Sequence, residues 1–200
     1  MTGWFESFIL TFIPLFIVMD AFGSLPYVIE VTEGLSVKKR NRVIHIATFT
    51  AAIIGLVFLF FGRFILSVMS ISVGSFAIAC GIILMIFSIK YLLTGKSVEA
   101  VSDSLIAVSP LGTPLIAGPA IIATLLLLSM QYKIYIVLIS FALNLVITWG
   151  IFIGSRVIKG FLGHGGLKAI GNVFNLLLAA IAVSLVLRGL SLLGAILISD

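Results

Sequence analysis

Charge is what this sequence has least of. Charged side chains make up only 10% of its 200 residues, against roughly 25% in a soluble globular domain, while 62% are hydrophobic. A chain with so little polar surface cannot cover itself with a wetted exterior, so its solvent is mostly lipid. Cysteine is nearly absent: Cys80 is alone, inside an apolar run, and can form no internal disulfide. It reads as small packing filler. The two histidines, His45 and His164, have no metal-ligand spacing, and no His-Glu-x-x-His pattern, nucleophile elbow or phosphate-binding loop occurs. These absences argue against an intramembrane metalloprotease or serine hydrolase; no enzyme activity, cofactor or metal is expected. The net charge of +5 would suggest nucleic acid in a soluble protein, but the basic residues are confined to short gaps between apolar runs. They read as topology determinants, and no nucleic-acid partner is expected. The first apolar segment lacks a basic leader and contains an acid and two prolines, which argues against a secretory signal peptide.

What is present is a series of apolar stretches long enough to span a bilayer, for which about 20 residues suffice. The first runs from Phe8 to Ile29 with Asp20 as its one charge, and the second lies between Arg42 and Arg63. A polar connection, Ser70 to Ser75, leads to a third that ends near Lys90. After the patch from Lys96 to Asp103, a fourth fills Leu105 to Met130. Gln131, Tyr132 and Lys133 turn the chain into a fifth, ending near Gly154, and a sixth runs from Ala169 to Leu187 or beyond. The expectation is an all-α polytopic membrane protein of six transmembrane helices. Lysine and arginine are unevenly shared among the connections. Lys38, Lys39, Arg40, Arg42, Lys90, Lys96, Arg156, Lys159 and Lys168 fall on one side, and only Arg63, Lys133 and Arg188 on the other. The positive-inside rule makes the richer side cytoplasmic and both termini extracytoplasmic, in a cell (inner) membrane.

Proline is rare and unevenly placed. Pro14 and Pro26 lie in the first segment, and Pro110, Pro114 and Pro119 in the fourth, half a chain length later. Each half then begins with a broken helix. With three spans per half, the second half is inserted upside down, giving two inverted three-helix repeats, residues 1–98 and 99–200, within a single membrane domain. Proline removes a backbone donor, and Gly23, Gly112 and Gly118 permit non-helical backbone, so both clusters can open a helix at membrane depth. Such open backbone is tolerated where it lines a cavity or is buried in protein. Simple kinking is the alternative, since proline is commoner in transmembrane than in soluble helices.

Asp20 is the single acid well inside a span. A carboxylate at the bilayer centre costs at least about 2.5 kcal/mol, so it should face the interior and either pair or hold a proton. It could instead cap a second half-helix starting near Phe22 by accepting free backbone amides. The two roles are compatible. The candidate substrate-binding set is Asp20, Ala21, Gly23, Ser24 and Pro26 from the first break, and Thr113, Pro114, Gly118 and Pro119 from the second. Asn144, in the middle of the fifth segment, and Asn175, early in the sixth, are best placed to join them. Asparagine at mid-depth can equally serve only to tie helices together. Asp20 is also the proton-coupling candidate. Ala51-x-x-x-Gly55, Ala77-x-x-x-Gly81 and Gly150-x-x-x-Gly154 are expected to be close-packing stripes.

Four stretches together resemble one family. They are Pro14-Leu-Phe-Ile-Val-Met-Asp-Ala-Phe-Gly-Ser-Leu-Pro26, the basic run Lys38-Lys-Arg-Asn-Arg42, Gly74-Ser-Phe-Ala-Ile-Ala-Cys-Gly-Ile-Ile-Leu84, and Ser109-Pro-Leu-Gly-Thr-Pro-Leu-Ile-Ala-Gly-Pro-Ala-Ile-Ile-Ala-Thr124. In this order they are similar to the MarC family of integral membrane proteins, over the whole chain. The first and last are the specific ones. Ala21 stands where that family usually has proline, and Ala120 where it usually has glycine. The family includes proteins described as small neutral amino acid transporters, and its six-helix plan resembles the lysine-exporter superfamily. The resemblance implies a secondary transporter of glycine or alanine, with proton coupling as an added possibility and no particular oligomeric state. The alternatives are a non-transporting membrane scaffold or partner subunit, or an exporter of another small solute.

Overall fold

The computed structural model describes residues 3–94 and 118–194, and among these every regular element is an α-helix. In chain order they are α1 (Trp4–Met19), α2 (Leu25–Val31), α3 (Val37–Val68), α4 (Val73–Thr94), α5 (Pro119–Gln131), α6 (Ile134–Ile153) and α7 (Ser155–Leu192). Four stretches are long and apolar enough to cross a membrane: α3, α4, α6 and Gly165–Leu192 of α7. The other two apolar helices are shorter, 16 residues in α1 and 13 in α5. Of the six expected spans, the second, third, fifth and sixth are helices long enough to cross, while the first and the described part of the fourth are shorter apolar helices. Each short helix is bounded by a breaker, Asp20 at the end of α1 and Gly118-Pro119 at the start of α5. The fourth segment before Gly118, with Pro110, Gly112, Thr113 and Pro114, lies outside the described residues.

Most boundaries have local causes. The Ser36 hydroxyl accepts the Lys39 amide at 3.4 Å and starts α3 ahead of the basic run, so Arg40 is helical and buried instead of lying in a loop. Arg40 shares the inward stripe of α3 with Ile44, Ala51, Gly55, Leu59, Gly62 and Leu66, while Phe49, Phe60 and Phe64 face outward, as expected for a helix solvated by lipid. Ser70, at φ 57°, lies in the turn between α3 and α4, and Ser72 Oγ caps α4 by accepting the Ser75 amide at 2.9 Å. The last helix begins much earlier than Ala169, because Gly154 alone separates it from α6; Gly163, at φ 61°, then kinks it.

Helices in lipid associate by close packing, since lipid tails are as apolar as leucine. The tightest contact pairs α4 with α7, running antiparallel: Gly74 meets Gly189, Gly81 meets Ala182 and Tyr91 meets Gly171. A Cβ on Gly189 would lie 2.6 Å from the Gly74 carbonyl oxygen, and one on Gly74 would lie 2.8 Å from that of Gly189. Gly55 of α3 takes the Phe141 ring of α6, and Gly62 takes Leu126 of α5. α1 lies against α6, α5 and α7. Two of the three expected small-residue stripes are therefore contacts. Gly150-x-x-x-Gly154 is not, because Gly150 is exposed and a Cβ there would meet nothing within 4 Å.

Candidate functional site

The break between α1 and α2 is built by Asp20. Its backbone is left-handed (φ 46°, ψ 43°), a conformation that aspartate tolerates better than most residues, and this turns the chain out of α1. The carboxylate folds back to accept the Gly23 amide at 3.1 Å, and the Asp20 carbonyl accepts both the Ser24 hydroxyl (2.7 Å) and the Ser24 amide (3.0 Å). Gly23 leaves room for this bond, since a Cβ there would push the Asp20 carboxylate aside. Pro26 then sits in the first turn of α2, where its missing N–H costs nothing. Because Gly23 bonds to a side chain, the carbonyls of Val18 and Met19 lack the donors a continuing helix would supply. Among the described residues, no carbonyl accepts the amides of Ala21 or Phe22. Among the described residues the break therefore leaves backbone donors and acceptors without backbone partners beside a carboxyl group.

Aromatic rings and α7 wall this break. Phe22 packs on Phe174 at 5.2 Å between ring centroids, and Phe16 meets both, Phe174 at 6.0 Å and Phe22 at 6.3 Å. Tyr91, only 4% exposed, lays its hydroxyl over Gly171. Asn175, 5% exposed, donates to the Gly171 carbonyl at 3.0 Å. Further along α1 a cavity of about 170 Å³ lies between α1, α5 and α7, with Pro14, Ile17, Thr124, Ser184 and Arg188 in its wall. The Thr124 hydroxyl is buried there without a hydrogen-bond partner among the described residues. Drug-sized ligands occupy roughly 300–1,000 Å³, so a space of this size suits only a small solute.

Comparison with known proteins bears on what such a bundle is. The profile of the MarC family integral membrane proteins matches residues 5–193. This chain belongs to the MarC family. Its relatives include a UPF0056 membrane protein of Methanocaldococcus jannaschii, 32% identical over 96% of this chain and 98% of the relative. The UPF0056 inner membrane protein YhgN of Escherichia coli is 33% identical over 88% and 92%. A UPF0056 membrane protein of Buchnera aphidicola is 30% identical over 93% of each. No solved structure matches. With four full-length apolar helices and this membership, the protein is a multi-pass integral membrane protein.

In this MarC protein the candidate residues fall into separate groups. Asp20, Ala21, Gly23, Ser24 and Pro26 share one turn, and Asn175 joins them through Gly171, Tyr91 and Phe174. Asn144 does not. It is fully buried and donates to the carbonyls of Phe12 (3.2 Å) and Ser140 (2.9 Å), eight residues above Asp20 on α1, or about 12 Å away. Its Oδ1 is buried with no partner among the described residues, so it ties α6 to α1 and keeps an acceptor in reserve. Gly118 and Pro119 form the start of α5. Thr113 and Pro114 lie outside the described residues. His45, near the start of α3, accepts the Trp149 indole N–H at 3.0 Å and serves packing. The candidate set read from the sequence did not include Tyr91, Phe16, Phe22, Phe174 or Thr124. Aromatic and hydroxyl residues are scattered through every span, and only the helix pairing selects these.

Proposed function

We propose that this protein is a secondary transporter of a small neutral amino acid such as glycine or alanine, working by alternating access around the α1–α2 break. The observation that carries this reading is the break itself, where among the described residues the backbone amides of Ala21 and Phe22 and the carbonyls of Val18 and Met19 have no backbone partner beside Asp20, and Phe16, Phe22 and Phe174 form a wall. A zwitterion's carboxylate can dock on the amides, and its ammonium group on Asp20 or the carbonyls. Proton coupling through Asp20 is a further part of the proposal, since a membrane-embedded carboxyl group is a natural proton carrier.

The inverted-repeat plan is part of the same reading. Its support is the pattern of helix partners: α4 pairs with α7 and α3 with α6, while α1 lies on α6 as α3 lies on α5, and α7 lies on α1 as α4 lies on α5. This is the arrangement expected of two halves related by an axis in the membrane plane. The second broken helix, ending in Gly118-Pro119 and α5, would then face the first. The basic residues place Lys39 and Lys159 on the cytoplasmic side, and the likeness to YhgN favours the inner membrane. Reporter fusions at Lys39 and Lys159 should both give a cytoplasmic signal. An external signal at either would reverse the orientation.

The test of function is counterflow in proteoliposomes. Vesicles preloaded with glycine or alanine should accumulate labelled glycine or alanine transiently, and protein-free vesicles should not. Exchange of a different small solute alone would change the substrate. Correctly inserted protein that exchanges nothing in a broad panel would favour a non-transporting scaffold or partner subunit.

A further inference from the structure

A second polar cavity, of about 130 Å³, lies at the end of the bundle where the α2–α3 and α6–α7 connections meet. Its wall includes Thr32, Glu33, Gly34, Ser155, Arg156 and Lys159. Ser155 is 1% exposed, and its hydroxyl has no hydrogen-bond partner among the described residues. Arg156 spends one nitrogen on the Leu35 carbonyl at 3.0 Å, and Lys159 holds Glu33 at 3.4 Å, the only salt bridge among the described residues. Arg40 stands behind this wall. It is 5% exposed, and its Nη2 donates to the Ile153 carbonyl at 2.9 Å, two residues before Ser155, and to Asn41 Oδ1 at 3.2 Å. Its Nη1 is buried with no partner among the described residues. Arg156 and Lys159 thus line the cavity beside one exposed carboxylate, Glu33, with the buried Ser155 hydroxyl in the wall and the buried Arg40 Nη1 behind it unsatisfied among the described residues. Buried donors are normally paired, so the arrangement suits an anion with several acceptor oxygens.

We infer that this cavity binds a phosphate group between Arg156, Ser155 and Lys159, supplied by the headgroup of an anionic phospholipid. The guanidinium fork and the hydroxyl match phosphate oxygens, and Lys159 adds a point charge. A lipid is the favoured source because the cavity lies at the ends of lipid-solvated helices and has Ile29 in its wall, so a glycerol backbone can leave toward the bilayer. The site is separate from the α1–α2 break and does not depend on transport.

The test uses the full chain in neutral detergent, with thermal melting and native mass spectrometry as readouts. Titrated phosphatidylglycerol should raise the melting temperature saturably and leave one lipid bound, whereas phosphatidylcholine should not. Arg156→Gln should weaken this apparent affinity about tenfold or more, the usual worth of one charged hydrogen bond. Ser155→Ala should weaken it less while leaving the lipid-free melting temperature unchanged or higher, because it removes an unsatisfied buried hydroxyl. This second variant keeps the test open if Arg156→Gln folds poorly. Arg63→Gln, about 35 Å along α3 from Arg40, should behave as wild type. Saturable protection by inorganic phosphate without lipid, lost in the same variants, would support the same site with a free anion as its source. No saturable effect of lipid or phosphate, or equal effects in wild type, Arg156→Gln and Ser155→Ala, would overturn the inference.

Discussion

Asp20→Asn should fold, insert and exchange substrate, yet lose the power to concentrate it against a gradient. Asparagine keeps an acceptor for the Gly23 amide and also tolerates the left-handed backbone at φ 46°. What it cannot do is carry a proton. One proton moving down a gradient equivalent to 100 mV supplies about 2.3 kcal/mol, enough to concentrate a solute about fiftyfold. Gradient-driven accumulation should therefore fall from that order to about one, while exchange at equal concentrations stays within about threefold. Asp20→Leu removes the acceptor as well and strains the turn, so it should lose both activities. Gly23→Ala is a gentler probe: its only close neighbour is the Asp20 carboxylate, which must swing away. It should behave between the two. Full accumulation by Asp20→Asn in matched vesicles would remove Asp20 from proton coupling and leave it as the residue that shapes the break.

Gly189→Leu should be the most damaging single change to the fold. The new side chain starts 2.6 Å from the carbonyl oxygen of Gly74, a backbone atom that cannot rotate aside. Overpacking of this kind typically costs about 1–3 kcal/mol, and more where backbone is the obstacle, so a melting temperature lower by at least about 5 °C is expected in detergent. Gly150→Ala is the matched control. It lies in a helix interior, exposed, with nothing within 4 Å of a new Cβ, and should be neutral or raise the melting temperature slightly. Equal losses from both changes would mean that glycine matters here for reasons other than the α4–α7 contact.

Those two glycines also mark where sequence reading stops. Small residues four apart identify faces that could pack, but Gly81 finds Ala182 and Gly150 finds nothing, and only the tertiary arrangement separates them. The break at Asp20 was legible because its causes are local: an acid tolerant of left-handed backbone, a glycine three residues on, and prolines at both sides. The four full-length apolar helices were legible for the same reason, since charge-free length is a local property, although the last begins at Ser155 and not near Ala169. Arg40 was misread as a loop charge because the decisive signal, the Ser36 cap, lies four residues before it and looks like any loop serine. Tyr91 and Phe174 could not be chosen in advance. Their helices are apolar all round, so no periodicity says which side faces the break.

The reciprocal contact of Gly74 and Gly189 has a mechanical consequence. Two helices whose backbones touch at Gly74, at Gly81 and again where Tyr91 covers Gly171 have no slack along most of their shared length. Sliding one past the other would drive side chains into carbonyls at every step, so α4 and α7 must travel as one stiff plank. Any opening and closing of the bundle then falls to the short helices: α1 with α2, and α5. The residues that would feel such movement first are those bridging plank and mover, Phe174 against Phe22 and Arg188 against Gln131.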